Sequence, residues 1–232
     1  QSAYGLYHLF NEWPSRPLRV GNAGSPSQLP QRGSTSLIAI PDTAADIDGP
    51  WLERALAPRY PGVSVSGVEI IDRTEMTNSH ARLAVTYRDD VGAPSSMFCK
   101  LLPASEKRRD LIAQTGMGPR EVRFYNDIAP HTKLRVPNCF VALHDEADEA
   151  FILLIEDLIA SQCTISDGSI GLDPDAAALA LEDLADLHVR FADRAVREAH
   201  APWVPAPMES DYGSVMLQHG LDKHRDRMTP CF

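Results

Sequence analysis

The sequence lacks the features of membrane, secreted and disulfide-stabilised proteins. It contains no run of about 18 or more apolar residues and no N-terminal basic region followed by an apolar core, so neither a transmembrane helix nor a secretory signal is predicted. The four cysteines are scattered and form no Cys-x-x-Cys pair, which indicates reduced thiols rather than a disulfide framework or zinc site. We therefore expect a cytoplasmic protein with no membrane partner.

Basic residues are in the minority. The chain has 22 Lys and Arg residues against 32 Asp and Glu residues, for a net charge of −10. This balance argues against nucleic acid as the main partner, although it leaves room for a local basic pocket that binds phosphate. The 232 residues, 44% of them hydrophobic, suffice for the buried core of one large or two small domains.

The stretch Ser96–Leu102 is the most informative one present. It predicts a short strand with apolar residues on both faces, and Lys100 lies in the middle of one of those faces. Lysine is almost never fully buried unless it is paired. Lys100 therefore requires an anionic partner, an anionic ligand, or both.

Glu121 is the predicted partner of Lys100. A helix is expected to begin at Gly118-Pro119 and to end before Pro130, and helical spacing places Glu121 on its apolar stripe. An inward-facing lysine on a strand and an inward-facing glutamate on the next helix explain each other as an ion pair. Alternatively, Lys100 extends to the surface and Glu121 only favours the start of the helix.

The surrounding pattern predicts a small α+β lobe with an antiparallel sheet. Residues 1–45 are rich in Ser, Pro, Gly and Gln and are expected to form a disordered leader. A helix over 46–60 is expected to follow. The predicted strands, besides the Lys100 strand, cover residues 63–71, 81–87, 136–143 and 151–155.

Three segments together resemble a known family. They are FCKLLP at 98–103, REVRFYNDIAP at 120–130 and FILLIEDL at 151–158. Their order is similar to that of the kinase-like small-molecule phosphotransferases, which include the ecdysteroid-kinase-like and choline-kinase-like proteins and are related to the aminoglycoside phosphotransferases. The resemblance covers roughly residues 50–230.

The resemblance implies a fold and a division of the chain. We expect a protein-kinase-like small lobe over residues 46–158, with a five-stranded antiparallel sheet and one main helix, and an incomplete helical large lobe over residues 159–232. In the large lobe, Asp173 is predicted to begin a helix that runs to about Arg194. Its expected buried stripe comprises Ala180, Leu184, Leu187, His188 and Phe191. A further helix is expected over 212–227.

The resemblance also implies ATP as cofactor. Lys100 would hold the α and β phosphates of ATP, and Glu121 would orient Lys100. The backbone after the last strand would contact the adenine edge. The full set of implied ATP-binding residues is Lys100, Glu121, Thr77, Asn78, Ser79, Glu156 and Leu158. In the family, the hairpin over 72–80 covers the phosphates. It contains no glycine here, but Thr77, Asn78 and Ser79 could still offer backbone N–H groups and hydroxyls to phosphate. Alternatively, these residues form an ordinary polar turn.

The catalytic residues of the family are not found. Its chemistry needs a loop resembling His-Gly-Asp, a following Asn, and a later Asp that binds Mg²⁺. The nearest match, Gln-His-Gly-Leu-Asp at 218–222, is interrupted by Leu and falls in a predicted helix. Because the chain also begins with Gln rather than Met, we expect a piece of a longer protein whose magnesium ligands lie outside it.

Two functions follow from this pattern. The first is an ATP-dependent phosphotransferase that acts on a hydroxylated or amino small molecule, present here without its catalytic loop and inactive by itself. The second is a non-catalytic nucleotide-binding or protein-interaction module. A hydrolase has little support, because the sequence contains no Gly-x-Ser-x-Gly motif.

Overall fold

A computed structural model describes residues 38–165 and 171–204, together with the isolated positions 218, 221, 222 and 225. Residues 1–37 of the leader predicted over 1–45, and most of the helix predicted over 212–227, lie outside the described residues. Of that helix, Gln218, Leu221 and Asp222 are helical.

A five-stranded sheet organises the described part of the chain, as predicted. Each neighbouring pair of strands is antiparallel, and the spatial order is β1-β2-β3-β5-β4. The α+β class is therefore confirmed. The strands are β1 (Val65–Glu75), β2 (Ser79–Tyr87), β3 (Ser96–Leu101), β4 (Cys139–His144) and β5 (Phe151–Glu156).

The two faces of the sheet bury different hydrophobic clusters. Met97, Cys99 and Leu101 of β3 belong to a cluster that includes α1 (Gly49–Leu56). Phe98 and Leu102 pack on the opposite face, against a second cluster formed by β5 and the helices that follow β3. The two-sided alternation predicted for β3 is thus confirmed, and Lys100 shares the face of Phe98.

The first described residues also pack against this core. Ala44 and Ile47 are buried, and Ile38 and Ile40 contact the α1 side of the sheet. The indole Nε1 of Trp51 donates a hydrogen bond of 2.7 Å to the carbonyl of Ala39. Residues 38–45, which the sequence assigned to a disordered leader, therefore form part of the folded lobe.

Between β3 and β4 the chain forms α2 (Glu106–Thr115) and α3 (Met117–Arg123). The predicted helix over 118–129 is divided, because α3 passes into a π-helical segment, Phe124–Ile128, and a short 3₁₀ turn, Ala129–His131. Gly118 allows α3 to approach the sheet closely. A Cβ at this position would lie 2.5 Å from Cε1 of Phe151 in β5.

The β1–β2 hairpin is longer than predicted. The strands pair up to Glu75 and Ser79, which leaves a turn of residues 76–78 in place of the predicted loop over 72–80. Both faces of this end of β1 are exposed, so its side chains carry no apolar alternation. Apolar alternation indicates which residues are buried and not which residues pair through the backbone. The sequence pattern therefore underestimated the length of both strands.

The helical region after β5 contains α4 (Pro174–Ala192) and α5 (Arg194–His200). Asp173 caps α4 as predicted, by accepting a hydrogen bond from the backbone N–H of Asp175 at 2.9 Å. The predicted buried stripe is wrong, because α4 has no buried residue and Leu184 and His188 are exposed. Ala180, Leu187 and Phe191 are half-buried. None of the helices in the described ranges is long and apolar enough to span a membrane.

Candidate functional site

An ion pair joins β3 to α3. Lys100 Nζ donates to Glu121 Oε1 at 2.5 Å, and the two side chains retain 14% and 27% of their accessible surface. The pairing predicted from sequence is therefore confirmed, and the alternative of an unpaired Lys100 is wrong. Because both side chains are still partly accessible, Lys100 can contact a bound anion while the lobe stays folded.

The sheet holds Lys100 from both sides. In the strand register, Lys100 lies opposite His80 of β2 and Leu153 of β5. Directly opposed residues of antiparallel strands project from the same face. Leu153 is fully buried, whereas His80 is only partly covered. The ammonium group consequently lies at the edge of an apolar cluster, between the helix on one side and the β1–β2 hairpin on the other.

The hairpin turn contains two of the predicted phosphate-binding residues. Thr77 and Asn78 belong to the turn, and Ser79 is the first residue of β2. Ser79 pairs with Leu101, so the turn is at the Lys100 end of β3. The same register directs Ser79 to the face opposite Lys100. The structure thus brings the turn close to Lys100 but turns the Ser79 side chain away from it.

The segment after β5 contains the residues predicted to meet adenine. The Glu156 carboxylate is occupied, because it accepts hydrogen bonds from Asn138 and from the hydroxyl of Ser161, the latter at 2.7 Å. The carbonyl of Leu158 accepts from the backbone N–H of Cys163 at 2.8 Å. In the described part of the chain, the backbone N–H of Leu158 has no hydrogen-bond partner.

Asp157, between those two residues, has a role that the sequence did not indicate. It is 2% exposed and accepts hydrogen bonds from the Arg82 guanidinium, from the Ser96 hydroxyl and from two backbone N–H groups of the following turn. Burial acts to raise the pKa of Asp157, but the hydrogen bonds from Arg82 and Ser96 hold this pKa below its ordinary value. Asp157 therefore fixes the start of the segment that follows β5 to β2 and β3. This segment, residues 157–163, is called the linker below.

His80 is the second residue that sequence reasoning missed. It was assigned to the hairpin loop, but it lies in β2 opposite Lys100, with its ring centroid 5.3 Å from that of Phe98. Burial, and then the charge of Lys100, lower the pKa of His80 to about 4, against a smaller opposing effect of Glu75. The imidazole is therefore neutral near pH 7. Its position two residues beyond the turn is the only signal that the sequence offered.

A cavity of about 280 Å³ borders the linker, and its walls include Ser95, Ser96, Asn138, Phe140, Glu156 and Ser161. Ligand pockets usually measure about 300–1,000 Å³, so this cavity is too small to enclose a whole nucleotide. A nucleotide that contacts both Lys100 and this segment would have to span about 10 Å, the length of strand between the levels of Lys100 and Glu156.

The described residues contain no group of three or more His, Cys, Asp or Glu side chains placed to hold a metal ion. The Lys100 cation, the free Leu158 N–H and the turn nevertheless suit a polyanionic nucleotide with one polar ring edge. ATP therefore fits the residues present.

Comparison with models of protein families gives one finding that covers these residues. The ecdysteroid kinase-like family matches residues 75–198, a segment that begins at the end of β1, includes Lys100, Glu121 and the linker, and ends in α5. Comparisons with curated proteins and with solved structures give no match. Because the match covers more than half of the chain, and the ion pair expected of a kinase-like lobe is present, the chain belongs to the ecdysteroid kinase-like family.

Proposed function

We propose that this chain binds ATP along the Lys100 face of its sheet and serves an ATP-dependent phosphotransferase whose acceptor is a hydroxylated or amino small molecule. The observation that carries the proposal is the Lys100–Glu121 ion pair, 2.5 Å long and still partly open to solvent. A purely structural ion pair would gain little from remaining accessible. A phosphate-binding lysine has to be accessible, and it needs a carboxylate that fixes its direction.

Each residue has a distinct part in the proposed site. Lys100 offsets the negative charge of the phosphates, and Glu121 holds the flexible lysine side chain in one orientation. The unpaired N–H of Leu158 donates to a ring nitrogen of adenine. Asp157 keeps that N–H in place through its bonds to Arg82 and Ser96. Bound ATP supplies the phosphoryl group for transfer.

Titration calorimetry with ATP and Mg²⁺ tests the proposal. We expect weak binding by the wild-type chain and a loss of about 10–100-fold in affinity for Lys100→Ala, the usual effect of removing one charged hydrogen-bond donor. Lys107→Ala is the matched control, because Lys107 is an exposed lysine of α2. Glu121→Gln should lower the affinity less than Lys100→Ala. Equal affinity of the wild type and Lys100→Ala would overturn the proposal.

A non-catalytic nucleotide-binding module is the second candidate. One observation favours it, namely that the 232 residues contain no His-Gly-Asp triplet. The two functions share the same nucleotide site and differ only in phosphoryl transfer. The test uses the protein with any further residues of the natural chain. If that protein binds ATP but transfers no phosphoryl group, the non-catalytic module is favoured over the enzyme.

The thiols and the net charge of the chain support two further parts of the proposal, a small-molecule partner and a cytoplasmic location. Cys99, Cys139 and Cys163 are unpaired thiols, as is usual in a reducing compartment. The net charge of −10 disfavours nucleic acid and anionic membranes as partners.

A further inference from the structure

His80 occupies a position that the proposed phosphate site leaves unexplained. It lies directly opposite Lys100 and on the same face of the sheet, two residues after the hairpin turn. Its ring packs at a tilt of 43° against Phe98, which fixes the plane of the imidazole. Neither ring nitrogen forms a hydrogen bond in the part of the chain that the structure describes. A polar ring is thus held beside the lysine with its own hydrogen-bonding capacity unused.

The charges around His80 come from several elements. Lys100 lies opposite His80 on β3, and the negative charge of Glu75, near the end of β1, also acts on it. Behind them, Arg108 of α2 lies 3.7 Å from Glu75, and Glu121 of α3 neutralises part of the Lys100 charge. Together, burial and the charge of Lys100 disfavour a second cation at His80, so the imidazole is neutral.

A bound phosphate chain would instead favour the protonated form of His80. Its negative oxygens would offset the charge of Lys100 and stabilise a second cation nearby. We propose that His80 is a second phosphate-binding residue, which takes up a proton from solvent when a nucleotide binds and then donates a charged hydrogen bond to the phosphates. The inference rests on the proposed nucleotide site and adds a residue and a pH dependence to it. A histidine cation would compensate for a hairpin that contains no glycine.

The sign of the pH dependence follows from the two states of His80. The free protein holds the imidazole neutral down to about pH 4, whereas the bound state binds the proton more tightly. At pH values between the His80 pKa of the free protein and the higher pKa of the complex, nucleotide binding is accompanied by proton uptake. In this range the affinity for the nucleotide rises as the pH falls. Uptake of one full proton changes affinity by about tenfold per pH unit.

Calorimetry in two buffers of different ionisation enthalpy measures this proton uptake. We expect that wild-type protein at pH 6 takes up more protons on binding ATP and Mg²⁺ than His80→Gln does, since glutamine is polar but cannot be protonated. Subtracting the variant removes the proton exchange of ATP itself. His188→Gln, at an exposed histidine of α4, should match the wild type. Adenosine, which has no phosphate, should bind without additional uptake.

A measurement without substitution protects the test against misfolding of the variant. The chemical shift of the His80 ring, followed by NMR across pH with and without ATP, should show a higher pKa in the complex. If wild type and His80→Gln bind ATP with equal proton uptake and equal pH dependence, the role of His80 is refuted and the proposed function stands. If the wild type does not bind ATP at all, both are refuted.

Discussion

Arg82 and Asp157 are joined by hydrogen bonds from Nε and Nη2 of the guanidinium to both carboxylate oxygens, at 2.9 to 3.2 Å. The pair connects the middle of β2 to the linker that leaves β5, and the hydroxyl of Ser96 in β3 completes it. Three parts of the lobe that are distant in sequence are therefore fixed around one buried carboxylate. This arrangement places the Leu158 backbone, which we propose contacts adenine, in a defined position.

Asp157→Asn should lower the free energy of unfolding by about 2–3 kcal/mol, because it leaves Arg82 without its anionic partner. Arg82 retains 20% of its surface, and so solvent compensates for part of the loss. Urea denaturation measures the difference. Asp186→Asn, at an exposed position of α4, is the control and should change stability by less than about 0.5 kcal/mol.

The same pair predicts a pH dependence. The folded-state pKa of Asp157 is depressed, so the contribution of this carboxylate is complete above its ordinary value of about 3.9 and is lost as the pH falls below that value. The difference in stability between wild type and Asp157→Asn should therefore be constant from pH 5 to pH 7 and shrink below about pH 4. A difference that is constant down to pH 3 would contradict the assignment.

Gly118→Ala should destabilise the lobe and weaken ATP binding together. The added methyl group would overlap the fully buried ring of Phe151, and such overpacking costs about 1–3 kcal/mol. Relief of the overlap moves α3, and with it Glu121, away from Lys100. Thermal unfolding and ATP titration measure the two effects.

Gly67→Ala is the matched control for Gly118→Ala. A Cβ at Gly67 would have no neighbour closer than 3.8 Å, so this substitution should leave both stability and ATP binding nearly unchanged. If Gly118→Ala behaves like Gly67→Ala, the close approach of α3 to the sheet does not position Glu121.

The sequence predicted the centre of the site better than its surroundings. Lys100 was conspicuous because it interrupts a strand that is apolar on both faces, and Glu121 because it lies on an apolar helical stripe. Arg82 offered no such signal, since a charged residue on the half-exposed face of an alternating strand is ordinary. Its partner Asp157 lies 75 residues later, and only the folded sheet brings the two together.

The errors in the fold have a similar origin. The exposed end of β1 has no apolar alternation, so the extension of the hairpin to Glu75 could not be inferred, and His80 was assigned to a loop. In α4 the periodicity was present, but it predicted burial for Leu184 and His188, which are exposed. Periodicity identifies a helix face without identifying what packs against it.

The 232-residue chain alone should transfer no γ-phosphate above background to amino-alcohols, aminoglycosides or sterols. Transfer requires metal ligands and a residue that orients the acceptor, and each such electrostatic or positioning effect contributes roughly 10²–10³ in rate. Radiolabelled ATP provides the assay. Robust turnover would contradict the expectation and would direct attention to His219 and Asp222, the nearest counterparts of the missing loop.

The central claim is that the phosphates of ATP lie at Lys100, and an acyl-phosphate derivative of ATP tests it most directly. Such a reagent acylates a lysine amine that lies beside the bound phosphate chain, and peptide mass spectrometry then identifies the modified lysine. We predict acylation of Lys100, suppression of that acylation by excess ATP, and slow, unprotected reaction at the exposed Lys107. Equal labelling of Lys100 and Lys107, or labelling of Lys100 that ATP does not suppress, would contradict the account.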